Sequence, residues 1–205
     1  MPVVVVANPK GGVGKSTLST HIAGYFAAKH PGVMLGDADR QQSSQLWLSL
    51  RPPTARAIAS WEIGDDQIAK PPKGTTHAVI DTSAGLHGKR LKDLLKLAHK
   101  VVVPLQPSVF DIFATRDFLD ELAERVKTQK VQVGIVAMRV DERTRAAEQL
   151  RNFVASTGLP VLGTLRDTQN YVQLAAHGLT VFDLAPERVA RDLAQWQPIC
   201  HWLDQ

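Results

Sequence analysis

A glycine-rich turn, "KGGVGKST" at residues 10–17, constrains this chain more than any other feature of its sequence. It follows the apolar run "VVVVA" at 3–7 and precedes a helix-periodic segment at 16–29. A strand, a glycine turn and a helix in this order place backbone N–H groups and a helix N-terminus around one concave site, which suits a phosphate group. The pattern therefore predicts a nucleotide-binding loop after the first strand of an α/β fold.

The turn departs from the usual phosphate loop in one respect. The common spacing G-x-x-x-x-G-K-[ST] requires a glycine at position 9, where this chain has Pro9 followed by a second lysine, Lys10. We expect Lys15 to reach the β- and γ-phosphates of ATP, Ser16 to supply a hydroxyl to Mg²⁺, and Thr17 to contact the α-phosphate. The other nucleotide-binding positions of the turn are Gly11, Gly12, Val13 and Gly14.

The rest of the chain alternates short apolar runs with helix-periodic segments, a pattern typical of a mostly parallel β-sheet flanked by helices on both faces. We predict strands at 3–7, 33–37, 77–81, 100–105, 131–137 and 160–165. We predict helices at 16–29, 86–98, 110–127, 144–157 and 186–203, the last with Pro186 in its first turn. Residues 51–76, with two proline pairs, are expected to be irregular and on the surface. The 205 residues suit a single α/β domain spanning 1–205.

Composition excludes several classes of protein. A single cysteine, Cys200, rules out an internal disulfide framework and a cysteine-cluster metal site. The chain shows no leader sequence and no apolar run of membrane-spanning length, so we expect a cytoplasmic protein. The net charge of +4 is compatible with a polyanionic partner without requiring one.

The turn "KGGVGKST" resembles the deviant Walker A motif of the ParA/MinD superfamily of P-loop ATPases, and segments at 104–122, 138–145 and 177–186 are similar to segments of small ParA proteins. The resemblance implies an Mg²⁺-dependent ATPase in which Lys10 reaches across an ATP-sandwich homodimer to the partner's phosphates. A cation supplied in this way does the work of an arginine finger. It further implies a short ParA type without a helix-turn-helix extension.

Two acidic segments are similar to the switch I and Walker B motifs of that family: "GDADRQ" at 36–41 and "HAVIDTSAG" at 77–85. Matched by position, Asp39 would orient the attacking water, Asp37 would help to organise Mg²⁺ or the loop lysine, and Asp81 would hold the Mg²⁺ shell through water. For Asp81, a helix N-cap is the alternative. Arg40 stands where the family commonly has proline, so this segment lacks the rigidity that a proline would give to the switch. The candidate metal-binding set is therefore Ser16, Asp37, Asp39 and Asp81.

Further polar positions are candidates for contact with nucleotide, with the dimer partner or with DNA. Four of them are candidates to contact nucleotide or the dimer partner, and each equally suits a surface ion pair: Asp111, Arg139, Asp141 and Arg143. Of these, Arg139 and Asp141 are the predicted nucleotide-binding residues. ParA-type dimers loaded with ATP bind DNA nonspecifically, which would be salt-sensitive here. The basic candidates for DNA, for which a solvated helix face is the alternative, are Lys89, Lys92, Lys96, Arg145 and Arg151.

Together these features predict a DNA partition or cargo-positioning ATPase, associated with the nucleoid and released when a ParB-like or other adaptor protein stimulates hydrolysis. One alternative is a MinD-like membrane ATPase, which should end in an exposed amphipathic helix. We instead expect Trp196, Ile199, Trp202 and Leu203 to pack on the sheet, and so expect no membrane partner. Another alternative is an ATP-dependent amidoligase of the cobyrinic acid or dethiobiotin synthetase type. The cargo stays open between a plasmid, a chromosome region and a protein assembly.

Overall fold

One parallel sheet forms the centre of the molecule in the computed structural model, which describes residues 1–64, 71–128 and 131–205, the side chains at 109, 111 and 125–128 excepted. Within these ranges its strands are β1 Val3–Val6, β2 Val33–Asp37, β3 Ala59–Trp61, β4 His77–Asp81, β5 Lys100–Leu105, β6 Gln132–Val140 and β7 Val161–Arg166. Their order across the sheet is β3-β2-β4-β1-β5-β6-β7, and all neighbouring pairs are parallel. The carboxyl ends of all strands therefore meet at one edge, where open α/β sheets bind ligands.

Helices cover both faces of the sheet, as predicted. They are α1 Lys15–Lys29, α2 Ser43–Leu50, α3 Gly88–Leu97, α4 Val109–Thr128, α5 Arg145–Thr157, α6 Gln169–Ala175 and α7 Ala190–Asp204. Alternate side chains of β1 enter two separate cores, because successive residues of a strand point to opposite faces. Val3 and Val5 join the core that also contains side chains of α3, α4 and α5, whereas Val4 and Val6 join the core with α1, α6 and α7.

Three of the strands and α-helices in the described ranges were not predicted. Strand β3 lies within 51–76, which was expected to be irregular, and its Trp61 is buried at 3% exposure beside β2. That expectation was wrong for the strand; residues 65–70 lie outside the described ranges. Helices α2 and α6 were also missed, because helices of eight and seven residues are too short to show a clear periodicity of apolar residues.

The end of the chain packs as expected, with a later helix start. Pro186 opens a separate 3₁₀ turn, Pro186–Arg188, and α7 begins only at Ala190. Trp196, Ile199 and Leu203 of α7 are buried in the core beside β7, and Trp202 is half-buried. Across the described ranges, the helices are too short or too polar to cross a bilayer.

Candidate nucleotide-binding site

The predicted phosphate loop runs from the end of β1 to the start of α1, at the carboxyl edge of the sheet. Asn8 holds its first half, because its Nδ2 donates to the Pro104 carbonyl oxygen (2.8 Å) and its Oδ1 accepts from the Lys10 backbone N–H (2.8 Å). Lys15 Nζ donates to the carbonyl oxygen of Lys10 at 2.7 Å. The backbone thus curls around the Lys15 ammonium group.

The end of the loop leaves the first turn of α1 open. Gly12 and Gly14 have φ angles of 75° and 97°, the left-handed region that glycine enters at little cost. A Cβ on Gly14 would also lie 2.8 Å from the Cε of Met138. No side chain caps α1 at Gly14, so the first backbone N–H groups of the helix can donate hydrogen bonds to an anion. The Pro9 carbonyl accepts from Gly85 N–H at 2.7 Å, which ties the loop to the segment after β4.

Asp81, at the end of β4, is the most buried carboxylate of this edge, with 1% exposure. Its oxygens accept from the hydroxyls of Ser44 (2.6 Å) and Ser19 (3.3 Å), and Ser16 also donates to it. Burial raises the pKa of Asp81 to about 6, although these hydroxyl donors lower it. The carboxylate is therefore held by neutral donors in a setting that favours a nearby cation.

Lys15 is buried as well, at 7% exposure. Burial lowers its pKa from the ordinary value, while the charges of Asp81 and Asp39 raise it. An ammonium group and a carboxylate, both desolvated, thus interact through their charges next to an uncapped helix N-terminus. This set complements the charges of an Mg²⁺–nucleotide complex, and contact of Lys15 with phosphate stays a prediction.

The donor chemistry of the site also fits magnesium. Mg²⁺ bound to nucleotides uses one or two carboxylates or hydroxyls from the protein and takes its other ligands from phosphate and water. Ser16 and Asp81 supply a hydroxyl and a carboxylate that already contact each other. In the described part of the chain, no three His, Cys, Asp or Glu side chains form a cluster that could hold a metal ion.

The segment after β2 carries the other two predicted carboxylates. Both oxygens of Asp37 accept backbone N–H groups: Asp39 (2.9 Å) on one, Ser44 (2.8 Å) and Gln45 (3.1 Å) on the other. Asp37 therefore holds the start of α2, and its role at the metal stays a prediction. Asp39 is half-buried at the cleft wall. Its carbonyl accepts from Gln42 N–H (3.0 Å), closing a turn with Arg40 at its second position.

Two adjoining cavities open along this edge. The larger, of about 1010 Å³, is lined by the phosphate loop, by Asp39 and Arg40, by the segment 83–87 and by Arg90. The smaller, of about 260 Å³, lies between the phosphate loop and the ends of β6 and β7, and includes Met138 and Tyr171. Residues common to both linings are Gly14, Thr17 and Arg139. One site is thus wide and polar enough for phosphates, and the other is a mostly apolar slot beside it.

The predicted nucleotide-edge residues divide between the cavities and the surface. Arg139, at the end of β6 with φ 52°, lines both cavities. Asp141 lies outside both linings and is exposed, where Arg143 donates to both of its oxygens (2.9 and 2.8 Å) and lowers its pKa to about 2. The side chain of Asp111 lies outside the described residues. The nucleotide role of Asp141 stays a prediction, and its observed contact is the surface ion pair that was the alternative.

The five basic candidates for DNA are all exposed. On α3, the buried residues Leu91, Leu94 and Leu95 turn the lysine face outward, and Lys96 pairs with Asp93 at 2.9 Å. On α5, Arg151 pairs with Glu142 at 2.5 Å. These positions are accessible to a polyanion, and their contact with DNA stays a prediction.

Four residues of the site escaped prediction. They are Asn8, Ser44, Arg90 and Gln106, whose Nε2 donates to the Gly12 carbonyl oxygen at 2.9 Å. Each contacts a segment distant in sequence, so no local pattern marks it. For Asn8 alone a weak signal existed: a buried amide directly after an apolar strand needs partners.

The fold and the site together define a phosphate-loop nucleotide-binding protein: a strand, an uncapped glycine turn and a helix at the carboxyl edge of a parallel sheet, with a buried carboxylate on the adjacent strand. Comparison with protein families matches residues 4–181 to the family described as the CobQ/CobB/MinD/ParA nucleotide binding domain. The chain belongs to this family, whose ParA and MinD members are ATPases.

Individual proteins support the ParA/MinD branch. The chain is 24% identical over 211 residues to the maintenance of carboxysome distribution protein A of Gloeobacter kilaueensis, covering 99% of this chain and 94% of the relative. It is 27% identical to the protein ParA of Rhizobium radiobacter, covering 72% and 69% of the two chains. The solved Cyanothece McdA(D38A)–ATP complex superposes with a TM-score of 0.72 at 15% identity, over 97% of this chain and 96% of that one.

Proposed function

We propose that this protein is an Mg²⁺-dependent ATPase of the ParA type that dimerises around ATP and positions a cargo on DNA. The observation that carries the proposal is the site itself: Lys15 and Asp81 are both desolvated and interact through their opposite charges, next to an uncapped helix N-terminus. The ATP complex of the similar McdA structure supports ATP as the nucleotide.

Each residue of the site has a task in this proposal. Lys15 and the N–H groups of the loop bind the phosphates, and Ser16 and Asp81 hold Mg²⁺, which neutralises charge on the phosphates when bound. Asp39 lies at the cleft wall, where its carboxylate orients the attacking water. The apolar slot beside Met138 and Tyr171 receives the base.

Lys10 acts in a second copy of the chain. Its backbone is fixed by Asn8 in the loop that also carries Lys15, and in the dimer its side chain serves the partner's phosphates. Hydrolysis then depends on dimerisation, because the cation that offsets charge on the transferring phosphoryl group comes from the other subunit.

The ATP-bound dimer binds DNA nonspecifically through the exposed basic residues of α3 and α5, and an adaptor protein stimulates hydrolysis and release. Similarity to a carboxysome-distribution protein supports a large protein assembly as the cargo. A membrane-bound role is less well supported, because Trp196, Ile199 and Leu203 are buried in the core and give α7 no exposed apolar stripe.

The test is retention of the purified protein on random-sequence DNA with ATP, with ADP and without nucleotide, over a salt series, alongside dimerisation and ATP hydrolysis. We expect retention and dimerisation only with ATP, and a steep loss of retention as salt rises. Lys15→Ala should lose nucleotide binding. Lys10→Ala should bind ATP but stay monomeric and off DNA.

Arg191→Gln is the control variant, since it removes one exposed positive charge from α7, outside both cavities. It should behave as the wild-type protein. ATP hydrolysis that requires an added carboxylic acid and ammonia, without DNA retention, would instead identify an amidoligase. Unchanged ATP affinity in Lys15→Ala would refute the site itself.

A further inference from the structure

Ser44, in the first turn of α2, is held at two points by carboxylates on neighbouring strands. Its hydroxyl donates to Oδ2 of Asp81 at 2.6 Å, and its backbone N–H donates to Oδ2 of Asp37 at 2.8 Å. Asp37 and Asp81 are register partners on the parallel strands β2 and β4. Ser44 itself is fully buried, at 0% exposure. One residue therefore connects two buried carboxylates at the carboxyl edge of the sheet.

The hydroxyl of Ser44 is a stronger donor to Asp81 than that of Ser19. Its distance of 2.6 Å is typical of a charge-assisted hydrogen bond from a hydroxyl to a carboxylate, whereas the Ser19 hydroxyl lies 3.3 Å from the other carboxylate oxygen. Both serines are equally buried, so burial does not distinguish them. The Ser44 contact therefore restricts the orientation of the Asp81 carboxylate more than the Ser19 contact does.

The same residue joins Asp81 to the start of α2. No side chain caps this helix at Gln42, and the carboxylate of Asp37 instead accepts from the backbone N–H groups of Ser44 (2.8 Å) and Gln45 (3.1 Å). A negative charge at a helix N-terminus is favourable, so Asp37 fixes the start of α2. A shift of this helix start would move the Ser44 hydroxyl away from Asp81, and a turn of the Asp81 carboxylate would break the side-chain contact of Ser44. The start of α2 and the orientation of Asp81 are therefore linked.

We propose that Ser44 is a positioning residue for the Mg²⁺ site: its hydroxyl holds the Asp81 carboxylate in the orientation that serves the metal, and it couples metal binding to the order of the start of α2. This inference rests on the proposed function, in which Ser16 and Asp81 hold Mg²⁺. Ser44 acts through Asp81 and not by contact with the nucleotide. Because such coupling is reciprocal, Mg²⁺–nucleotide that favours this orientation of Asp81 also stabilises the first turn of α2.

The first experiment measures the affinity of the full chain for a fluorescent ADP analogue, in EDTA and over a series of Mg²⁺ concentrations. We expect Ser44→Ala to keep the affinity in EDTA within about twofold of the wild-type value. It should need about 10-fold more Mg²⁺ for half of the Mg²⁺-dependent gain in affinity, the usual cost of losing a residue that orients a metal-binding group. Ser44→Thr keeps the hydroxyl and should recover at least part of this loss.

Two further serines supply matched controls. Ser19→Ala removes the more distant hydroxyl from the same carboxylate and should raise the Mg²⁺ requirement by less than about threefold. Ser49→Ala removes a hydroxyl from α2 that donates to the Leu46 carbonyl, and it should match the wild-type protein.

The second experiment follows the coupling by hydrogen–deuterium exchange of the backbone at residues 43–47. In the wild-type protein, saturating Mg²⁺ with the ADP analogue should slow exchange there. In Ser44→Ala, at concentrations that saturate both proteins, most of this protection should be lost, since the side-chain link to Asp81 is missing.

The other outcomes overturn the inference in distinct ways. A wild-type Mg²⁺ requirement in Ser44→Ala, or an equal effect in Ser19→Ala, would show that Ser44 does not position Asp81. Equal weakening with and without Mg²⁺, or failure of both Ser44 variants to fold, would show a purely structural role. Undiminished protection of α2 in Ser44→Ala would refute the coupling. A wild-type protein that binds the analogue without any effect of Mg²⁺, or not at all, would refute the proposed function as well.

Discussion

Two buried carboxylates, Asp183 and Asp81, have pKa values shifted in opposite directions by their surroundings. Asp183 meets Arg51 at 2.7 Å, with both side chains at most 6% exposed, and it also accepts from Thr180 N–H (2.8 Å) and Oγ1 (2.7 Å). Burial would raise its pKa, but these donors bring the pKa of Asp183 below its usual range. Among the described residues, the donors to Asp81 are the hydroxyls of Ser16, Ser19 and Ser44, and burial raises the pKa of Asp81 to about 6.

The difference is that the charge of Asp183 is compensated by a partner within the chain, whereas the charges at the phosphate site are not fully compensated in the free protein. The Arg51 guanidinium also donates to the Gly178 carbonyl (2.9 Å), so the ion pair that joins α2 to the segment before α7 has its partners within the chain. At the phosphate site, the nearby cation Lys15 is itself desolvated and donates to a loop carbonyl. Charges left in this state lower the stability of the free protein and are offset when a ligand of complementary charge binds.

Removing the buried ion pair of Arg51 and Asp183 should give the largest change in the free energy of unfolding. Asp183→Ala removes the carboxylate and leaves the Arg51 guanidinium buried without its counter-charge. We expect the free energy of unfolding to fall by about 3–5 kcal/mol, measured by urea denaturation at neutral pH. Glu142→Ala, which breaks the exposed pair with Arg151, is the control and should change it within error. A loss as small as that of the control would mean that water replaces the partner of Arg51.

At the phosphate site, removing a buried carboxylate charge should instead raise the free energy of unfolding. Asp81→Asn removes a buried carboxylate whose pKa burial raises to about 6, so above pH 6 the free protein should gain about 1–3 kcal/mol in free energy of unfolding. The stabilisation that Mg²⁺–ATP adds to the wild-type protein should disappear. Both are read from denaturation curves with and without Mg²⁺–ATP.

Asp37→Asn is the matched control, one strand away at the same level of the sheet. Because both Asp37 oxygens accept backbone N–H groups, replacing one oxygen by an NH₂ group should destabilise the protein by about 1 kcal/mol. Loss of stability in Asp81→Asn would indicate that its hydroxyl contacts matter more than its buried charge.

The two regions also differ in how far the sequence could predict them. The phosphate loop is local: eight consecutive residues fix the turn, the lysine and the hydroxyl, and β1 and β4 are apolar runs that end at the site. The Ser44 contact with Asp81 spans 37 residues and Arg51 with Asp183 spans 132, and neither pair carries a motif. Arg90 was missed because its helix was considered only for its outward lysines.

Titration of His21 gives the smallest expected effect, and it is visible once Asp81 is removed. His21 is buried between Tyr171 and Trp196, its Nδ1 contacts the Thr17 carbonyl, and burial lowers its pKa to about 4. Between about pH 4 and 6.5 the unfolded chain therefore binds a proton that the folded chain does not, so stability falls as pH falls. Asp81 has a raised pKa and acts in the opposite direction between its unfolded value and about pH 6, which masks this slope.

In Asp81→Asn, the free energy of unfolding should therefore fall by about 1 kcal/mol between pH 7 and pH 5.5 through His21, against a flatter profile in the wild-type protein. Urea denaturation at several pH values measures both. His21→Gln in the same background should remove about half of the slope, because burial also lowers the pKa of His77 to about 4 and His77 therefore contributes an equal share. A slope that persists in full without His21 would mean that His77 or another histidine causes it. A wild-type profile as steep as that of Asp81→Asn would mean that the buried charge of Asp81 is already compensated in the free protein.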